Sequence, residues 1–218
     1  MFEDRRAAGV QLAKDLRGYK DNAIVLALPR GGVEVGAEVA KALSVPFDVI
    51  IARKLGAPHN PELGIGAVSE GDSEVLSHPI ISSLGITKKE IQLVRRKEAA
   101  EMERRINLYR DGRGLPELSG KTVILVDDGL ATGVTAQAAI LAIKKLRPRK
   151  IIFAAPVCAL DSAKKIKSEV DSLICTVIPH DLTAISLYYK NFPQVEDQEV
   201  IKILDEHKVG IFTIKNGR

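Results

Sequence analysis

Five stretches dominate the sequence: NAIVLAL (22–28), PFDVIIAR (46–53), KTVILVD (121–127), KIIFAAPV (150–157) and SLICTVI (172–178). Each carries β-forming apolar residues at successive positions, and all but KIIFAAPV end at Pro or a charged residue. A strand that is apolar on every residue is buried on both faces, which is the habit of a parallel sheet. Between these runs the apolar spacing turns helical: about 3–17, 32–43, 87–110, 134–146, 160–169 and 196–207. Strands that alternate with helices build an open, mainly parallel sheet with helices on both faces, so the expected class is α/β and the expected unit is one domain over 1–218. Ligands of such sheets bind beyond the carboxyl ends of the strands. The loops after Leu28, Arg53, Asp127 and Val157 therefore carry the functional expectations.

Composition narrows the remaining classes. Hydrophobic residues make up 45% and charged residues 28%, the proportions of a globular protein. No apolar run approaches the roughly 18 residues of a membrane span, and the first residues, MFEDRRAAGV, lack the apolar core of a signal peptide. The only two cysteines, Cys158 and Cys175, lie in apolar strand runs and are expected to be buried free thiols in a reducing cytoplasm. There is no CxxC and the four histidines are scattered, which argues against a zinc site. The net charge of +4 suits an anionic partner. Much of that charge sits in KKEIQLVRRKEAAEMERRINLYRDGR, where interleaved Glu makes a solvated helix face the expected reading and a nucleic-acid partner an unexpected one.

Residues 123–135, VILVDDGLATGVT, are the most informative segment. Four apolar residues run into Asp127 and Asp128, then into a short loop of small residues that opens a helix. Free backbone N–H groups at a helix start favour an anion, most simply a phosphate. The hydroxyls of Thr132 and Thr135 add donors, and Gly133 lets a ligand approach the backbone closely. The two carboxylates cannot bind phosphate directly. They suit ribose hydroxyls or the water shell of Mg²⁺. Acids beside a phosphate cradle point to a sugar phosphate. A P-loop nucleotidase does not fit, because GxxxxGK[ST] is absent. A phosphorelay receiver fits poorly, because most of the sheet precedes Asp128.

This segment resembles the phosphoribosyl diphosphate (PRPP) motif of type I phosphoribosyltransferases. In that resemblance Asp127 and Asp128 match the acidic pair that contacts the ribose 2′- and 3′-hydroxyls. Ala131, Thr132, Gly133, Val134 and Thr135 match the loop that holds the 5′-phosphate. LPRGGVEVG (28–36) resembles the family's pyrophosphate loop, with Arg30 and Gly31 at its basic-Gly pair, where a non-proline cis peptide can occur. Arg53 and Lys54 resemble the strand-end cations of the orotate and adenine enzymes, which face pyrophosphate. The loop at about 55–70, inside a 55–113 insertion, sits where the family has a mobile lid, and IGAVSE (65–70) and SEVLS (73–77) read as short strand-like pieces. The segment from about 177 to 218 sits where it has an acceptor-binding hood, with Tyr188, Tyr189 and Phe192 as candidates to stack on a base. RKLGAPHNPELGIGAV and YYKNFPQVEDQEV are similar to a group of phosphoribosyltransferases whose substrate is undefined.

The resemblance implies transfer of phosphoribose from PRPP to a purine or pyrimidine base, with Mg²⁺ as cofactor, Lys54 and the acidic pair as catalytic residues, and a homodimer. One departure matters. Ala131 stands where the 6-oxopurine and orotate enzymes carry Asp, as it does in adenine and uracil enzymes. That weakens a hypoxanthine or guanine assignment and leaves the general base among His59, Glu62 and Glu70. A rival reading keeps the fold and binds PRPP or a nucleotide as a regulator, with little or no turnover.

Overall fold

The computed structural model describes residues 1–215, with side-chain surroundings given through His207. The last residues of the expected hood, 216–218, lie outside the described residues. The core is a five-stranded parallel sheet built from β1 (Ala23–Ala27), β2 (Phe47–Val49), β6 (Thr122–Val126), β7 (Lys150–Val157) and β8 (Ser172–Val177), in the order β2-β1-β6-β7-β8. Helices α1 (Arg5–Asp15), α2 (Gly32–Leu43), α5 (Val134–Lys145), α6 (Leu160–Lys167) and α7 (Asp197–Lys215) cover it.

The alternation of side chains along each strand divides the core in two. Val25, Ala27, Ile124, Val126, Ile152 and Ala154 pack under α1, α2 and α7. Ile24, Leu26, Val123, Leu125, Ile151 and Phe153 pack under α5 and α6. β1 and β6 are buried at every residue, as their uninterrupted apolar runs require. The acid pair and the loop after β1 thus leave neighbouring strands at the same, carboxyl, edge of the sheet.

Three expectations are corrected. The run 46–53 is not one strand. β2 ends at Val49, and β3 (Ala52–Ala57) joins a separate antiparallel sheet with β4 (Asn60–Ser69) and β5 (Ser73–Leu76). The switch occurs at Ile51, whose N–H donates to the Glu70 carboxylate at 2.8 Å and whose carbonyl accepts from Ser69 Oγ at 2.9 Å. These local bonds hold the backbone in the second sheet.

The segment 55–70 is likewise not an open loop. It forms a hairpin with register shifts on either side of Gly56. It lies along α4 (Lys88–Arg110), which follows a short α3 (His78–Ser83). Thr87 caps α4 through a reciprocal capping box with Glu90.

Finally, Cys158 and Cys175 are joined as a disulfide. Parallel pairing of β7 with β8 sets their Cα atoms 6.3 Å apart, within disulfide reach, which strand assignment alone cannot reveal. The argument for a reducing compartment from free thiols falls with that correction. Among the described residues no helix is long and apolar enough to cross a membrane.

Candidate active site

The loop after β1 begins with a ladder bond from Leu28 N–H to the Val126 carbonyl, 2.9 Å, which ties it to the strand that delivers the acids. The Pro29–Arg30 peptide is cis. Gly31 then meets the acidic pair: a Cβ there would overlap the Asp128 carboxylate, so only glycine permits this approach. Arg30 reaches across to the start of α7, with Nη1 3.4 Å from Glu196 Oε2 and 3.8 Å from Asp197 Oδ1. Asp197 is shared further, accepting from Tyr109 Oη at 2.5 Å and from Arg104 Nη2 at 2.9 Å.

Asp127 and Asp128 follow β6 directly. Asp127 Oδ1 accepts the Asp128 N–H at 2.8 Å. Burial, and then the negative charge of Asp128, push the Asp127 carboxyl well above the ordinary carboxylate range. Asp128 Oδ2 accepts from Arg5 Nε at 2.7 Å, and the Asp128 carbonyl accepts from Tyr189 Oη at 2.7 Å.

Beyond the acids the loop is pinned to the next strand–helix junction. Leu130 N–H donates to Val157 O and Ala159 N–H donates to Leu130 O, both at 2.8 Å. Ser162 Oγ donates to the Ala131 carbonyl at 2.5 Å. Ala131 and Thr132 are exposed. Gly133 takes φ +76°, a left-handed conformation suited to glycine, and opens α5 without a side-chain cap. The first N–H groups of α5 are therefore left without a side-chain acceptor, as an anion cradle requires.

The other sequence-derived residues lie in two places. Arg53 forms a paired contact with Glu98 of α4, at 2.7 and 2.9 Å, and Lys54 Nζ donates to the Glu62 carbonyl. Both cations line a groove of about 540 Å³ between hairpin and α4, with Pro58, Pro61 and Leu93. No hydrogen bond or ion pair among the described residues links them to Arg30 or to the acids. Of the base candidates, His59 is exposed at the hairpin tip, 3.6 Å from Glu90, and Glu62 is exposed. Glu70 is buried against the equally buried Arg110 at the hairpin root. Desolvation raises its carboxyl, while Arg110 and the Ile51 N–H oppose that rise.

Of the three aromatics, Tyr189 is buried, with its ring 5.5 Å from Phe2 and 4.8 Å from Phe192. Tyr188 is half-buried and borders the same cluster. This places Tyr189 and Phe192 behind the acidic pair. A different C-terminal stretch, His180 to Thr183, faces Ala159–Asp161 across an open cleft of about 350 Å³ at the ends of β7 and β8.

The strand, the two acids and the uncapped helix start form one continuous unit. A family model, the phosphoribosyl transferase domain, matches residues 5–191. The chain belongs to the phosphoribosyltransferase family. Two Mycobacterium tuberculosis proteins, each named "Putative phosphoribosyl transferase", from strains CDC 1551 and H37Rv, are 38% identical to it over 206 residues. That stretch is 94% of this chain but only 46% of each relative, so the chain spans less than half their length. Among solved structures, TT1426 from Thermus thermophilus is 35% identical and superposes with a TM-score of 0.79, covering 94% of this chain and 98% of its own.

Sequence reading missed Arg5, Glu34 and Asp197, which lie around the candidate site. Asp197 carried no signal, since an acid in the first turn of a helix is ordinary. Arg5 did carry one: it falls on the apolar stripe of α1 with Ala8, Leu12 and Ala13, where a cation is out of place.

Proposed function

We propose that this phosphoribosyltransferase-family chain binds PRPP with Mg²⁺ and transfers its 5-phosphoribosyl group to a purine or pyrimidine base, releasing pyrophosphate. One observation carries the reading. Two acids at the end of β6 lie against the glycine backbone of the loop after β1 and run at once into the uncapped start of α5. Ribose on the acids, its 5′-phosphate on Ala131–Thr135 and its diphosphate on Arg30 and the Gly31 backbone would be held along one sheet edge.

The acids also fit a divalent ion. Two adjacent carboxylates, one raised by burial and then by the other's charge, form an oxygen set that a hard cation relieves. Among the described residues no group of three acids, histidines or cysteines could hold a metal on its own. Asp127 and Asp128 would therefore hold Mg²⁺ through water, with oxygens of the ligand completing its shell. When bound, Mg²⁺ supplies charge neutralisation of the diphosphate.

The reaction is substitution at the anomeric carbon. A base nitrogen forms the new C–N bond as the C–O bond to pyrophosphate breaks, and pyrophosphate leaves with the electron pair. Asp127 and Asp128 fix the ribose, and the 5′-phosphate cradle anchors its far end, so remote binding energy orients the reacting carbon. Arg30 takes charge on the leaving group once ligand replaces Glu196 and Asp197 as its partner. Arg53 and Lys54 would join it by leaving Glu98 and Glu62, which requires the hairpin to swing toward the acids. The acceptor base would enter beside His180–Thr183, with Tyr188 at the border.

A panel of purine and pyrimidine bases, supplied with PRPP and Mg²⁺ and followed by pyrophosphate release, tests the proposal. Base-dependent release from at least one acceptor is expected. The burial of Glu70 against Arg110, together with Ala131 in place of an acid, favours one second reading: a PRPP- or nucleotide-sensing regulator. Tight PRPP binding without release from any base would establish it over transfer.

A further inference from the structure

Arg5 is the most connected side chain around the acidic pair, yet it comes from the opposite end of the sequence, 123 residues from Asp128. It is 5% exposed. Nε donates to Asp128 Oδ2 at 2.7 Å, and Nη1 donates to the Pro193 carbonyl at 2.7 Å. Nη1 also lies 3.6 Å from Glu34 Oε2 on α2. The guanidinium carbon sits 3.6 Å above the centre of the Phe192 ring. A Cβ placed on Gly31 would come within 2.9 Å of Nε, so the guanidinium borders the loop after β1 as well.

Stability does not account for this arrangement. Arginine keeps its charge when buried, and an apolar residue of similar volume on the same stripe commonly does as well or better. The electrostatics of the site do account for it. Asp127, Asp128 and Glu34 concentrate negative charge beside a loop expected to take a diphosphate, and unpaired acids would repel that ligand. A guanidinium fixed on one Asp128 oxygen offsets the charge, and its planar fork orients the carboxylate while a second N–H anchors the hood at Pro193.

We infer that Arg5 is a positioning residue of the PRPP site, holding Asp128 against the Gly31 backbone and screening the acidic cluster from the incoming diphosphate. The inference rests on the PRPP reading above. Arg5 does not touch the reacting atoms. It acts through Asp128 and through the segment Phe192–Pro193.

Calorimetric titration with PRPP and Mg²⁺ tests it on the full chain, for the wild type, Arg5→Met, Arg5→Lys, Asp128→Asn and the Arg5→Met/Asp128→Asn pair, with a thermal melt of each. Arg5→Met is expected to weaken PRPP binding about 10- to 100-fold, the range for losing a charge-assisted hydrogen bond. Arg5→Lys restores part of the loss, because it returns the charge without the fork. Arg5→Met adds little once Asp128 is already Asn, because the two residues act as one unit.

Wild-type affinity in folded Arg5→Met overturns the inference, and so do full, independent losses in the double variant, which mark a purely structural role. Should Arg5→Met fail to fold, Arg5→Lys decides: weaker binding by a folded protein supports the inference, and unchanged binding overturns it. A wild-type chain that takes up no PRPP removes the PRPP reading itself, a result distinct from an intact wild type with indifferent Arg5 variants.

Discussion

The strand–acid–helix unit at 122–136 and the hairpin-plus-helix unit at 52–110 both carry charged or polar groups, but they are held by opposite means. The first is fixed by backbone. β6 is buried throughout, and ladder bonds from Leu130 and Ala159 pin its loop to the end of β7. Each acid therefore keeps one oxygen for a ligand, since Arg5 holds only Asp128 Oδ2 and the Asp128 N–H only Asp127 Oδ1. The second is fixed by side chains. Arg110 pairs with Glu70, Arg53 with Glu98, and Lys54 with a carbonyl of its own hairpin. Cations committed in this way are available to a ligand only if their partners release them. A buried sheet edge can hold charge ready for use, whereas a peripheral hairpin spends charge on its own attachment.

The largest effect should come from removing the acids. Asp127→Asn/Asp128→Asn is expected to cut PRPP-dependent turnover by orders of magnitude while circular dichroism and the melt show a folded chain. Unchanged turnover would end the ribose-binding assignment, and with it the contrast between the two units.

The hairpin should respond in stability. Glu70→Ala strands the buried Arg110 charge, whose Nε and Nη1 already lack partners, and is expected to cost about 3–5 kcal/mol. Arg110→Met should cost less, because the Glu70 carboxyl can take up a proton whereas a guanidinium cannot lose one. Denaturant unfolding of both variants checks this asymmetry. Equal losses would mean that the pair is held by packing.

The smallest effect is a pH dependence that tells the two units apart. The Asp127 carboxyl is raised in the folded chain, so between the ordinary carboxylate value and that raised value the native state binds more protons than the unfolded one. Its contribution to stability therefore falls as pH rises through this window, while the ionised form that a ribose or metal needs increases. Asp127→Asn should melt a few degrees above wild type near neutral pH, roughly 2–4 °C per kcal/mol of relieved repulsion, and the gain should vanish below about pH 4. A gain independent of pH would assign the effect to packing.

The parallel sheet was legible because burial on both faces leaves an apolar signature that few other structures share. The placement of the acidic pair between a strand end and a helix start was legible because strand, acids and helix are contiguous in sequence. The hairpin was legible only in part: IGAVSE and SEVLS read as short strands, and they fall in β4 and β5. Residues 60–63 are exposed and carry Pro61, so neither alternation nor β-propensity marks the start of β4. The partners of Arg30 and Asp128 were hidden for a different reason. Glu196, Asp197 and Arg5 become neighbours only when α1 and α7 dock, and a single sequence does not record docking. The disulfide was missed on the same ground, since it depends on which strands lie side by side.

The joining of distant segments also bears on how the protein is made. Phe2 bridges to the Tyr188–Lys190 stretch through backbone bonds of 2.8 and 2.9 Å, and Arg5 bonds Pro193 across 188 positions. Contacts of such span form late, because the intervening chain must first be ordered. On the ribosome, the sheet through β7 can assemble while α1 still lacks its C-terminal partners. The nascent chain would then carry the loop after β6 already built, beside an arginine that has only half its contacts until Pro193 has cleared the exit tunnel.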